Sequence, residues 1–511
     1  MTDQQADAPL YAQGPVRVSN GLLAGCAAPE NDDVSIFRNV PFAAPPIGAR
    51  RWRPPVPVPD WQGVRDATAY SPACLQPVGD GLAMFGPPKG AALSEDCLYL
   101  NVWTPARTTG EKRPVMVWIH GGAFRVGAPD NPMYNAVNLS KAGVIVVSFN
   151  YRLNVLGSFA HPALTAASGQ NASGNYSLMD QIAALRWVRK NIAGFGGDAG
   201  NVTVFGESAG SRSIAVLMAS PLAEGLFDRA ICQSGALRDV SLPLAAREAM
   251  GLEIAARLGC DTADDPLAAL RAKPWQELCD AVTLDNNPIV DGWVVPDDPC
   301  ALYAEGRIHR VPTIIGVNAD EGTMFTQMDP DRFETAEKYR AFLTEKFGDE
   351  AGAIFDEYPA ATDAAALDAI ARLSTDQRMA LPARTHARLL SKAGIPNWSY
   401  FFTHVPPWRG GRVMGAHHGA EIPYIFGSGV KCGQFGSYPN AEEQALSDTM
   451  IGYWTNFAAK GDPNGPGLPH WPGFEAKSGP YLELGDTVRA GTNLLKPQLD
   501  FLESLRTDQT V

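Results

Sequence analysis

Apolar and polar positions alternate in short runs over the first sixty residues, "PVRVSNGLLAG" and "VSIFRNVPFA", before a proline cluster, "PPIGARRWRPPVPVPDW". A period of two predicts half-buried strands, and the turn residues between them predict a small N-terminal antiparallel meander. The texture then changes. Compact apolar runs follow, each ending in glycine or a polar turn: "VMVWIHGG", "GVIVVSFNYR", "NVTVFGES", "RAICQSG", "TIIGVNADEG", "SYFFTHV" and "YLELGD". Their length and β-branched content suit strands buried on both faces. In "SLMDQIAALRWVRKNIAGFGGD", Leu178, Ile182, Leu185, Val188 and Ile192 recur at helical spacing, with Gly194 as the expected stop. Buried strands alternating with amphipathic helices imply an α/β fold, a mostly parallel central sheet flanked by helices. Between "NADEG" and "MGAHHG", patterns such as "AEKYRAFLTEKFGDEAGAIF" predict a helical insertion over residues 323–410, within one domain spanning 1–511.

Composition narrows the partners. Hydrophobic residues make up 45% and charged ones 19%, an ordinary globular balance. The formal charge of −13 argues against nucleic acid and against anionic membrane surfaces. The start, "MTDQQADAPLYAQGPVRV", lacks the basic and apolar segments of a leader, and no later run is long enough to span a bilayer. The expectation is a cytoplasmic protein, monomeric or weakly self-associating; a trimmed exported form would read the same. Eight cysteines show no C-x-x-C spacing, and spacing alone favours free thiols at Cys74 and Cys97.

The most informative stretch is "NVTVFGESAGSRSIAVLM". An apolar strand pattern runs to Phe205, and helical spacing begins at Ala209. Between them stands Gly206-Glu207-Ser208-Ala209-Gly210, a G-x-S-x-G. A strand passing directly into a helix needs a tight turn without bulky neighbours, and that turn lifts Ser208 to the carboxyl edge of the sheet. A serine that attacks carbonyls also needs amides aimed at the oxyanion. Ala209 N–H at the helix start is one, and His120-Gly121-Gly122-Ala123, in "VWIHGGAF", resembles a donor loop. Losing one such donor typically costs about 3–4 kcal/mol of barrier.

The expected chain order is serine, acid, histidine. The strand "TIIGV" leads to Asp320 and Glu321, and local chemistry does not choose between them. Of the later histidines, His386 reads as solvated, His404 as structural and His470 as packing. His417 and His418 stand in a glycine-flanked loop after a strand, the setting a base requires. A metal site using both histidines and Glu421 is the competing reading, but no further ligand cluster accompanies it. No metal or organic cofactor is expected.

These motifs, with "FRNVPFAAPPIGARRWRPP", "SEDCLYLNVWTP", "NYRLNVLG" and "HHGAEIPYIFG", resemble the type-B carboxylesterase/cholinesterase family of α/β-hydrolases, especially its bacterial p-nitrobenzyl-esterase-like members. The resemblance runs almost end to end. It implies a serine carboxylesterase with Ser208 as nucleophile, Glu321 as acid and His418 as base. Its oxyanion donors would be Gly122, Ala123 and Ala209, and Phe124, Arg125 and His417 would border a small-molecule ester pocket. It further implies ion pairs Arg51–Glu95 and Arg152–Asp180, a Cys74–Cys97 disulfide in secreted members, and Ser234 near the triad. A second disulfide from Cys260 lacks a partner at the expected place, and Cys279 could substitute only if the backbone permits. Arg125, where relatives carry an aromatic or small residue, suggests a preference for carboxylate-bearing esters; Arg212 is a second unusual charge. Carbamate or amide hydrolysis by the same residues is the alternative.

Overall fold

A computed structural model describes residues 8–29, 31–77, 83–235, 237, 242–281, 285–328, 333–407, 409–429 and 441–507. Its frame is an eleven-stranded sheet: β1 Cys26–Ala28, β2 Asn31–Pro41, β3 Tyr99–Thr104, β4 Arg113–Ile119, β5 Ile145–Phe149, β6 Gly197–Glu207, β7 Arg229–Gln233, β8 Thr313–Asn318, β9 Asn397–Phe402, β10 Pro480–Leu484 and β11 Arg489–Thr492. The spatial order is β11-β10-β9-β8-β7-β6-β4-β5-β3-β2-β1. The seven strands from β5 to β10 are mutually parallel, while β3, β2, β1 and β11 add antiparallel edges. This is the α/β-hydrolase arrangement of a large mixed sheet flanked by helices. The seven apolar runs marked as strands all lie in it, and every residue of β5 and β8 is buried. Continuous burial is what two covered faces require.

The N-terminal region departs from a simple meander. Val16–Val18 and Gly21–Ala24 pair antiparallel, but Val64–Asp66 joins them parallel in a separate three-stranded sheet. "VSIFRNVPFA" instead joins the central sheet as β2, because its apolar side completes the layer over β3.

Helices α1 Tyr176–Asn191, α2 Ala209–Ala219, α3 Glu321–Gln327, α4 Asp363–Thr375, α5 Leu381–Lys392 and α6 Ala441–Lys460 bear on the site. Helix α1 passes into a 3₁₀ turn, Ile192–Phe195, and stops at Gly196, with φ 82°, rather than at Gly194. Gly194 serves a different purpose: a Cβ there would lie 2.7 Å from the Arg17 carbonyl oxygen. Buried Asp180 of α1 accepts two 2.8 Å bonds from Arg152, which fixes the loop after β5. Arg51 and Glu95 form the other expected pair.

Two histidines differ from expectation. His386 is fully buried in α5, its ring edge-on to Tyr303 at 5.0 Å, and burial pushes its pKa down to about 3. It occupies the inward face of a helix whose outer face is basic. His470 is exposed, because the neighbouring Trp471 takes the buried place. His404 bridges Asp486 and Glu443, as a structural role requires. Cys74 and Cys97 are bonded, against the expectation from spacing alone, since the fold brings their strands' ends together. Cys260 and Cys279 are both free thiols.

Candidate active site

The site begins with a backbone strain that the sequence explains. Ser208 joins β6 to α2 at φ 54° and ψ −119°, a left-handed conformation that non-glycine residues seldom hold. The flanking glycines make it possible. A Cβ on Gly206 would lie 2.6 Å from the Ile119 carbonyl oxygen, and one on Gly210 only 1.9 Å from the same atom. Strand β6, helix α2 and the end of β4 therefore press together at the Ser208 turn. The Ser208 amide donates to Gln233 across the sheet at 2.9 Å.

The loop after β4 faces this turn. Gly122 has φ 100°, and Ala123 and Phe124 follow at 55° and 56°, a run of left-handed residues that turns successive amides toward one side. Among the described residues, the amides of Gly122 and Ala123 donate to no protein acceptor. Ala209, the first residue of α2, has no preceding helical turn to receive its amide. The loop is held from behind: Tyr151 donates to the His120 carbonyl at 2.8 Å and stacks on its ring, and the Phe124 carbonyl accepts from Asn154. A Cβ on Gly121 would reach 3.0 Å from Ser208 Cβ, which shows how closely loop and turn approach.

The two carboxylates after β8 divide their work. Glu321 Oε1 accepts from the Asn318 amide at 2.7 Å, and Oε2 stands 2.5 Å from His418 Nδ1. Asp320 instead ties down the histidine loop, its Oδ2 accepting from the Ala416 amide at 2.8 Å. The next residue, Gly322, lets α3 lie against α4, since a Cβ there would be 2.0 Å from the Ala371 carbonyl. His418 and Glu321 are both buried. His417 points elsewhere, its Nδ1 near the His418 carbonyl at 2.9 Å and its pKa lowered by burial.

His418 Nε2 stands 3.0 Å from Glu207 Oε1 and forms no hydrogen bond with Ser208, the next residue along. Burial works against an imidazolium here, but Glu207 and Glu321 override it and raise His418 to about 9. Burial likewise raises Glu207 to about 8, with His418 opposing the rise. The imidazole and the carboxyl form a buried pair. Behind it lies a third buried carboxylate, Glu421, which accepts from Gln233 at 3.0 Å and Asn318 at 2.6 Å. Those neutral amides occupy the oxygens that a metal reading would have aimed at the histidines.

Sequence reasoning missed Glu207, although it is the x before the serine in "GESAG". It also missed Gln233, Asn318 and Phe325, whose ring lies 5.1 Å from that of His418. No local pattern marks these three. Arg125 is exposed just beyond the glycine loop after β4. Arg212 is one helical turn after Ser208 and donates to Asn287 Oδ1 at 2.6 Å. Ser234 is buried beside β8, its amide bonded to the Gly316 carbonyl at 2.8 Å.

Residues 12–502 match the carboxylesterase family. The chain is 40% identical to fumonisin B1 esterase of Sphingopyxis macrogoltabida over 90% of its length and 85% of the relative's. It is 36% identical to a liver carboxylesterase of Sus scrofa, over 97% and 92% of the two chains. A solved structure of a PNB esterase superposes with a TM-score of 0.80 at 32% identity, over 96% of this chain and 99% of that one. Sequence and architecture thus agree along nearly the whole length, and no helix among the described residues is long and apolar enough to cross a membrane. The chain belongs to the carboxylesterase family and is a carboxylic-ester hydrolase.

Proposed function

We propose that this hydrolase works through an acyl-serine formed on Ser208, with His418 as base and acid, Glu321 as its orienting carboxylate, and the amides of Gly122, Ala123 and Ala209 as oxyanion donors. The observation that carries this reading is the His418 imidazole, gripped at Nδ1 by Glu321 and directed by Nε2 to the Glu207–Ser208 corner. In the reacting complex Nε2 faces Ser208 Oγ in place of Glu207. It takes the hydroxyl proton as Oγ bonds to the ester carbonyl carbon, and the carbonyl electron pair moves to the oxyanion. Collapse of that intermediate breaks the carbon–alkoxy bond, and His418 gives its proton to the departing alcohol. Water, deprotonated by the same imidazole, then attacks the acyl-serine and releases the acid. Glu321 accepts from Nδ1 throughout and favours the imidazolium that each step creates.

The same reading includes a preference for esters that carry a carboxylate, supported by Arg125 at the exposed rim of the donor loop. Substituting Ser208→Ala tests the core of it. Turnover of a chromogenic ester falls on the order of a million-fold with the fold intact, since members of such a triad act as a unit. Substantial residual turnover by the purified variant sinks the assignment.

A further inference from the structure

We propose that Arg378 is a substrate-binding residue that takes a carboxylate of the ester and so selects anionic esters. The inference rests on the esterase reading above and names a group that discriminates among esters. Arg378 lies in a π-helical turn, Asp376–Ala380, between α4 and α5. Such turns shift side chains out of the helical register and are frequent at functional sites. Asp376 of the same turn is directed inward, its carboxylate accepting from Tyr358 at 2.8 Å. Arg378 is close to the site: its guanidinium carbon stands 4.5 Å over the Phe325 ring, and the same ring lies 5.1 Å from that of His418. The cation and the imidazole thus share one aromatic neighbour.

Three features make this guanidinium available for a ligand. It has no carboxylate partner and no hydrogen bond among the described residues. Its side chain is open to solvent. Its pKa is lowered by desolvation, so the guanidinium is partly flanked by protein. A cation with no internal partner is free to take a ligand anion. Buried Glu207, Glu321 and Glu421 around His418 offer an ester carboxylate no cation of their own. The guanidinium over Phe325 supplies one and presents a planar fork to a carboxylate. Arg125 stands on the donor-loop wall, whereas Arg378 belongs to the helical segment between β8 and β9.

The test compares kcat/KM for matched esters in the full-length enzyme. One pair places the carboxylate on the acyl side, 4-nitrophenyl hydrogen glutarate against 4-nitrophenyl valerate. The other places it on the alcohol side, 4-acetoxybenzoate against phenyl acetate. Arg378→Gln is expected to lose about ten- to a hundred-fold on the charged member of at least one pair, the usual span for a charge-assisted contact, and less than about three-fold on its neutral counterpart. Arg378→Lys should keep part of the preference, and salt should erode it in the wild type. Unchanged ratios in Arg378→Gln overturn the proposal, and so does an equal loss on charged and neutral esters, which signals a structural role. If Arg378→Gln does not fold, the Lys variant and the salt series decide by the same ratios. Failure of the underlying esterase reading shows separately, as activity that survives Ser208→Ala.

Discussion

Gly210→Ala tests whether the crowded nucleophile turn matters as the geometry says. The added methyl falls 1.9 Å from the Ile119 carbonyl oxygen, 2.7 Å from its carbon and 2.9 Å from the His120 oxygen. All three are backbone atoms at the end of β4, so no side chain can swing aside. Ordinary contact begins at 3.4 Å. Helix α2 must therefore retreat from β4 by more than about 1 Å, a distortion of the overpacking kind that costs about 1–3 kcal/mol. The same movement separates Ser208 and the Ala209 amide from the donor loop that begins at His120. A misplacement of about 1 Å in a reacting group lowers turnover about a hundred-fold. The expected result is a kcat on a chromogenic ester down by about that factor, with a lower urea midpoint. Gly352→Ala is the control: it lies in the helix Ala351–Glu357 with nothing within 4 Å of its Cβ, so it should be neutral or gain about 0.4–1 kcal/mol. Wild-type turnover and stability in Gly210→Ala would refute the reasoning.

Other outcomes follow from the same geometry. Glu207→Gln removes a carboxylate that raises His418; with the neutral imidazole as the proposed base, the acidic limb of the kcat/KM profile should move to lower pH, and an unmoved limb shows that Glu207 does not set it. Asp180→Ala strands a buried Arg152 and should cost about 3–5 kcal/mol in chemical denaturation, with kcat little changed in the folded fraction; a change under about 1 kcal/mol contradicts the pairing.

The strands of the parallel sheet were legible because a strand covered on both faces needs an unbroken apolar run, and such runs stand out against charged helices. The nucleophile turn was legible for a related reason: the backbone approach at Gly206 and Gly210 excludes any side chain, so the glycines appear in the sequence as themselves. Glu321 and His418 needed more. Asp320 beside Glu321 and His417 beside His418 carry the same chemistry one residue away, and resemblance to a family, not local pattern, separated them. The coordinates give the physical difference: Asp320 turns back to the Ala416 amide and His417 to the His418 carbonyl, while Glu321 and His418 meet.

Sequence by itself determined the fold class, the serine turn and the glycine loop after β4, because each is a local constraint written into consecutive residues. Tertiary structure alone decided which carboxylates surround the imidazole, that Cys74 meets Cys97, that His386 is buried, and that Arg378 and His418 both neighbour Phe325. Those relations join residues far apart in the chain, and no short pattern records them: they follow from how the sheet and the helices beside it pack.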